Sequence, residues 1–495
     1  ANNGVPLSCC NDLGLVLGGL RQETACCVDP TVELNGVLMP KRVAVTGGLP
    51  AWLMLLTLVV IGGTGCRPAS SPSGPTGERP PERKGNQPQE PVTVPAKPIQ
   101  WGNQKVDRQR LERAIQLATD YMVRACDQQG HFQYLVHLDP QVKIYPEYNV
   151  VRHVGAMMGL AVAHGFKPAE PTKQALLRAN RFLKEKCLGP VDGHPELLAV
   201  WSRPEVTMLK HDLQAKLGGT GLGLVALAYL EAIAPGTTSK QDLRKLANFI
   251  LFMQKENGDF HANYIPAQGG HVDLPGAWMF SGEAALGLLM LYEIDPDRRW
   301  LAAAEKAIYY LGESQVDLVP TYPDQWVLQA GRRWVPLVKE APFGKSRQQI
   351  MAHLTRTCQD MLADQRALKE DPRIAGCFAR DGITCSTGTC LEGILNAWSC
   401  LPEEERLLKQ QILESADAGV DFLLKSQIRH GRYAGAWTFI TPLLSPDDAR
   451  LSPHFQAQAE EIRIDYVQHP LCALVRYHQL LQQGVLSSEQ PAGKE

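Results

Sequence analysis

From Val106 to Gln483 the sequence repeats itself at intervals of roughly 60 residues, the length of two antiparallel helices and their connections. Each unit holds an amphipathic helical stretch that ends in an aromatic residue followed five positions later by Gln or Cys. The pairs are Tyr121/Cys126, Phe182/Cys187, Phe249/Gln254, Tyr310/Gln315 and Phe422/Gln427, and the stretch Met361 to Gln365 fills the remaining place at a slightly different spacing. Several units continue into glycine, any residue and an aromatic: Gly130-His131-Phe132, Gly258-Asp259-Phe260, Gly376-Cys377-Phe378 and Gly431-Arg432-Tyr433. Glycine there stops a helix and opens a short extended segment. Alternating with these stretches are six helices richer in Gly, Ala and Leu, beginning near Asn149, Thr220, Gly282, Asp324, Thr389 and Val467. Their small residues, such as Gly155-Ala156, Gly221, Gly223 and Ala284-Ala285, suit helices buried on all sides. The pattern predicts an all-α (α/α)6 toroid of six inner and six outer helices. Short β-hairpins or lids over its mouth would come from the long connections Gly189 to Lys216, Asn257 to Phe280 and Arg432 to Glu461.

The repeat leaves the front of the 495-residue chain to be explained separately. Lys41-Arg42, the apolar run Leu49 to Ile61 and the small residues before Cys66 have the layout of an export signal, with an apolar run too short for a comfortable membrane span. Residues 67 to 104 are rich in Pro, Gly, Ser, Glu and Lys and cannot bury a core, which reads as a disordered tether. The expected organisation is therefore an upstream, non-mature segment 1–38, a signal peptide 39–66, a tether 67–104, the toroid 105–485 and a tail 486–495. Met39 is the candidate start, which would leave Cys9, Cys10, Cys26 and Cys27 outside the mature protein. A formal net charge of -2 gives no basic face for nucleic acid. No GxGxxG, Walker A or HExxH pattern is present, so nucleotide and zincin chemistry have no foothold. The glycines from Gly218 to Gly223 read as a tight entry into a closely packed helix. Cys377, Cys385 and Cys390 lie close together and leave a disulfide among them open, and no spacing identifies a metal site or a cofactor.

Gly63-Thr64-Gly65-Cys66 resembles a bacterial lipobox, which implies lipidation of Cys66 and a protein held by an N-terminal lipid anchor to a bacterial membrane, in the cell envelope. The segment Lys245 to Gln254, followed by Gly258-Asp259-Phe260, resembles the Q-W repeat of terpenoid cyclase and prenyltransferase toroids, and Leu424-Lys425-Ser426-Gln427 to Trp437 echoes it. The architecture is equally similar to six-hairpin glycosidases, polysaccharide lyases and sugar epimerases. In such toroids the site opens at the N-terminal ends of the inner helices, where side chains converge and the helix dipole favours anions. The Asp-x-Asp-Asp acid motif of the cyclases does not occur in this sequence.

At those helix ends the sequence gathers polar residues. Candidates for catalysis are Glu283, Asp324, Glu392, Asp465, His153 and His469. Carboxylic acids would serve hydrolysis, one protonated and one ionised, and His or Tyr would move a proton in a lyase or epimerase. Candidates for substrate binding are Tyr148, Asn149, Arg152, Trp326, Tyr466 and Gln468, the aromatics stacking on sugar faces and Arg152 meeting an anionic group. Structural readings stand beside these. Asp324 fits a helix N-cap, a single buried His is commonly a core residue, and Arg152 with Asp465 fits an ion pair that locks the ring. The expected function is an exported, membrane-tethered carbohydrate-active enzyme of glycoside hydrolase, polysaccharide lyase or sugar epimerase type. Its partner would be a carbohydrate or another polar small-molecule or polymeric substrate. A non-catalytic toroid that binds a glycan or peptide, and a cyclase-like toroid without its acid motif, remain the alternatives.

Overall fold

The computed structural model describes residues 106–274, 277–318, 320–337 and 347–486. The leader with Cys66, the tether and nearly all of the tail lie outside the described residues. Twelve long helices alternate between two layers. The outer layer is α1 (Arg108–Ala125), α3 (Glu170–Phe182), α5 (Lys240–Phe252), α7 (Arg298–Ser314), α9 (Arg347–Arg366) and α11 (Arg406–Ser426). The inner layer is α2 (Val150–Phe166), α4 (Leu217–Ile233), α6 (Met279–Ile294), α8 (Gln325–Leu337), α10 (Thr384–Trp398) and α12 (Ile464–Gln482). Each inner helix packs on the next and α12 packs back on α2, so the inner ring is closed. This is an (α/α)6 toroid.

The outer helices start where the sequence offers caps. Asp107, Ser239 and Asp297 each accept a hydrogen bond from a first-turn amide of α1, α5 and α7. The inner helices are buried nearly all round, and glycines set how closely they approach. A Cβ on Gly221 of α4 would lie 2.8 Å from the Ala284 amide of α6, and one on Gly388 of α10 would lie 2.6 Å from Pro470 of α12. Four inner helices begin three to five residues before the positions expected from the sequence, α10 at Thr384 rather than Thr389, α6 at Met279, α4 at Leu217 and α12 at Ile464. The Ser, Thr and Gly residues at the starts of α4, α6 and α10 have weak helical preference of their own, and burial inside the ring overrides it.

The repeated glutamines join neighbouring outer helices. Gln254 Nε2 donates to Ala303 O at 2.9 Å on α7, and Gln365 Nε2 donates to Gly376 O at 2.8 Å and Ser415 O at 3.1 Å on α11. Gln427 Nε2 donates to Ala114 O at 3.0 Å on α1. Cys126 takes the same place in the first unit, its thiol 3.5 Å from Ala175 O of α3. The glycine that follows lies against the next outer helix, with φ of +88°, +100° and +91° at Gly130, Gly258 and Gly376. In the last unit the docking glycine is Gly435 (φ +100°), where an added Cβ would lie 1.9 Å from Leu117 O, and not Gly431, which has open space around it. Residues 428–434 form an extra loop that moves the docking point along the chain. Gln315 departs from the pattern, and Arg356 makes that joint by donating to Val316 O at 2.6 Å.

The ring is also closed by backbone. Strand β1 (Leu135–His137) pairs antiparallel with β7 (Glu461–Arg463), Leu135 opposite Arg463. A second sheet, in the order β2 (Leu188–Val191), β3 (His194–Ser202), β4 (Gln214–Lys216), β5 (Asn263–Ile265) and β6 (Gly270–Val272), is antiparallel throughout. It is built from two of the three long connections. Cys377, Cys385 and Cys390 are buried free thiols, so the disulfide left open by their spacing does not form. Among the described residues no helix is long and apolar enough to cross a membrane.

Candidate active site

Four consecutive inner helices bring chemistry together near their N-terminal halves. Asp324 caps α8, its Oδ1 accepting from the amides of Trp326 at 2.9 Å and Val327 at 3.0 Å. Glu283 lies in the first turns of α6 and is close enough to Asp324 and His469 for each to act on its charge. His469 on α12 has Nδ1 2.9 Å from Glu392 Oε2 of α10, with Gln468 Nε2 at 3.3 Å and the Trp326 ring centroid at 5.8 Å. Glycines clear the space around the carboxyls. A Cβ on Gly218 would sit 2.0 Å from Glu283 Oε2, and one on Gly282 would sit 3.0 Å from Asp324 Oδ1.

All these side chains are buried, at 1% exposure for Glu283, 0% for Asp324, 2% for Glu392 and 0% for His469. Burial pushes the Asp324 carboxyl up to about 7, against the opposing pull of the Val327 and Trp326 amides. Glu283 is raised well above the ordinary range, first by burial and then by the charge of Asp324, with His469 acting in the other direction. Among the described residues, Glu283 Oε2, Asp324 Oδ2, Trp326 Nε1 and both amide atoms of Gln325 have no hydrogen-bond partner in the protein. Buried polar atoms are nearly always bonded, so these atoms call for a water or a ligand as partner. Beside it, Trp278 and Tyr322, on the segments entering α6 and α8, stack at 4.6 Å with 9° between their planes, and Tyr322 is exposed.

The remaining sequence candidates lie at the ring's closure. Asp465 is clamped by Arg463 (Nε to Oδ1 2.7 Å) and Arg152 (Nε to Oδ2 3.1 Å), and Arg152 also donates to Tyr134 Oη at 3.0 Å. Burial alone would raise the Asp465 carboxyl, but the two arginines hold it well below the usual range. Its place is therefore that of a tie between α2 and α12. His153 faces outward between layers. Phe132 N donates to Tyr148 Oη at 3.2 Å, Tyr148 Oη is 2.7 Å from His153 Nδ1, and His153 Nε2 is 3.1 Å from Ala179 O. A carbonyl can only accept, so Nε2 carries the proton and the Tyr148 hydroxyl donates to Nδ1. Burial pushes His153 down to about 3, which leaves it neutral. Asn149 caps α2, accepting from Val151 N and Arg152 N. Tyr466 packs on Phe439 with Arg463 over its ring. Glu283, Asp324, Glu392, His469, Trp326 and Gln468 are thus brought together, while His153, Tyr148, Asn149, Arg152 and Tyr466 are not; Asp465, held by its arginines, lies between the two groups, near enough to His469 to feel its charge. Tyr322 carried no repeat or motif signal in the sequence. Tyr134, the hydroxyl partner of Arg152, carried none either.

No protein-family model matches this chain, and no curated protein matches its sequence. Solved structures do match its fold. Cellobiose 2-epimerase from Spirochaeta thermophila DSM 6192 superposes with a TM-score of 0.54 at 15% identity, covering 76% of this chain and 98% of its own. A GH76 alpha-mannanase from Bacteroides thetaiotaomicron gives 0.51 at 11%, covering 75% and 97%. An unsaturated glucuronyl hydrolase specific for heparin gives 0.50 at 9%, covering 77% and 100%. At these identities the likeness is one of fold.

Proposed function

We propose that this toroid is a carbohydrate-active enzyme that cleaves a glycosidic bond by general acid–base catalysis. The observation that carries the reading is the buried Glu283–Asp324 pair, of which Glu283 Oε2 and Asp324 Oδ2 find no partner among the described residues. Two carboxyls raised together titrate as a pair and can hold one proton near neutral pH. That proton passes to the leaving glycosidic oxygen as the bond from the anomeric carbon breaks. His469, oriented by Glu392, takes a proton from the water that attacks the carbon. The Trp278–Tyr322 stack offers an aromatic face for a sugar ring. Epimerisation is a second reading, favoured by the carboxylate-oriented imidazole, with His469 withdrawing a proton from a sugar carbon and the acid pair returning one. Elimination from a uronate has less support, because Arg152 and Arg463 both hold Asp465. The export signal and Cys66 read from the sequence complete the proposal, placing the enzyme on a lipid anchor at the cell envelope.

The test is turnover of a panel of neutral oligosaccharides by the purified protein and by Glu283→Gln, Asp324→Asn and His469→Ala variants with unchanged circular dichroism. Release of reducing ends that each variant loses is the expected result. Release of no product by the wild type, with a glycan still bound, identifies a non-catalytic binding toroid. Interconversion of a sugar without bond cleavage identifies the epimerase.

A further inference from the structure

The opposite end of the inner ring holds a different kind of cluster, independent of the reading just given. Arg332 and Arg333 on α8 and Arg476 on α12 converge there with Tyr229 of α4, Glu293 of α6 and Asn396 of α10. Counting along α12 at ~1.5 Å per residue, Arg476 lies ~10 Å beyond His469.

The charges of this cluster do not balance. Arg333 is paired with Glu293 and reaches Tyr229 Oη at 3.3 Å. Arg332 and Arg476 have only neutral partners among the described residues. Arg332 Nη1 donates to Asn396 Oδ1 at 2.7 Å, and Arg476 donates to Gln479 Oε1 at 3.2 Å and to Ser399 Oγ. Arg476 is 6% exposed, and its Nε has no partner. The two guanidinium groups act on each other. Arg476 is pushed down to about 10, first by burial and next by the positive charge of Arg332. Cys400 beside them supplies no counter-charge, since burial pushes its thiol up to about 11. Glu293, whose charge also reaches Arg332, is already paired with Arg333, so buried Arg476 and half-buried Arg332 leave an excess of positive charge that is costly unless an anion joins them.

Neutralising helix C-termini does not account for the pair. Where arginines of this protein close a helix end they donate directly to carbonyls, as Arg429 does to Leu424 O at 2.9 Å and Arg356 to Val316 O at 2.6 Å. Arg332 and Arg476 donate to side chains and keep their remaining donors. A planar, forked donor set of this kind matches the oxygens of an oxyanion. The burial of Arg476 admits a small ion and excludes a macromolecular surface.

We propose that the C-terminal end of the inner ring is a binding site for a small oxyanion (phosphate, sulfate or carboxylate) held between Arg332 and Arg476. The experiment is thermal unfolding of the purified protein in inorganic phosphate, sulfate and acetate, each against chloride at equal ionic strength. Expected is a saturable rise in Tm with at least one oxyanion, following mass action, and its loss in Arg332→Gln and Arg476→Gln. In chloride alone Arg332→Gln is expected to unfold no earlier than the wild type, because it removes a like-charge repulsion. If Arg476→Gln does not fold, the less buried Arg332→Gln carries the test. An equal Tm in all four salts, or an oxyanion response that survives in Arg332→Gln, overturns the proposal.

Discussion

Two aspartates in this ring respond to pH in opposite senses, and each can be tested alone. Asp324 is raised from 3.8 to about 7. The stability linked to it is fully present below 3.8 and is lost as pH rises towards about 7, because the unfolded chain ionises first. Asp324→Asn keeps the capping oxygen on the Trp326 and Val327 amides and removes the buried carboxyl. Its Tm is therefore expected to exceed that of the wild type at pH above about 7 and to approach it in acid. If Asp324 is the acid, the same change lowers kcat by ~10²–10⁴-fold and abolishes the decline of kcat/KM on the alkaline side, read from a pH–rate profile. Asp465 is held low instead, so its stabilisation is full above the unfolded value of 3.8 and disappears as pH falls below it. At this scale the sequence was informative where residue type and helix position decide the matter, as for Asp324, expected and found as an N-cap. It was silent where rotation about the helix decides. His153 and His469 both begin inner helices behind polar runs, yet one points to the outer layer and the other to Glu392. A single sequence carries no sign of that choice, because both faces of an inner helix are buried.

Between neighbouring outer helices the recurring joint is a glutamine that bonds two carbonyls and a glycine that lets the chain pass close by. Gln365→Ala strands Gly376 O and Ser415 O in a buried setting, with an expected loss of about 1–3 kcal/mol in urea unfolding. Gly435→Ala places a Cβ 1.9 Å from Leu117 O at a φ of +100°, so it is expected to cost more than Gly431→Ala by at least several kcal/mol. Gly431→Ala, with open space around it at a φ of +80°, is expected to cost about 1–2 kcal/mol. Equal costs for the two would show that the docking glycine is misassigned. The glutamine repeat was legible because each copy meets the same geometric demand. The final glycine was misread for a physical reason, since residues 428–434 displace the contact by four positions without altering the helix before it. The hairpins of β2 to β6 were anticipated as short β-hairpins or lids, but not their union in one sheet, because that depends on a partner 49 residues away (Tyr264 with Ala215, against Gly189 with Ala199 locally) that local alternation does not name.

The molecule as a whole depends on its last inner helix meeting its first. Asp465→Asn leaves Arg152 and Arg463 buried without their carboxylate and is expected to cost about 3–5 kcal/mol in unfolding free energy. Its acid unfolding is expected to be shallower than that of the wild type, because the group whose protonation drives that transition is gone. At the other end, labelling with a tagged fatty acid in the native host tests the anchor. Cys66→Ser is expected to abolish both the label and membrane retention, and a label that persists would refute the assignment. The tie between Arg152 and Asp465 spans 313 positions of sequence. During synthesis from the N-terminus, α2 is made long before the residue that neutralises its arginine and the strand that completes β1. Until residue 465 leaves the ribosome, the growing chain is an open arc with two sticky ends, one apolar and charged, and every unfinished neighbour on the same message presents the same pair. Yield of the intact protein should therefore follow the cell's supply of holding chaperones more closely than it follows the stability of the finished ring.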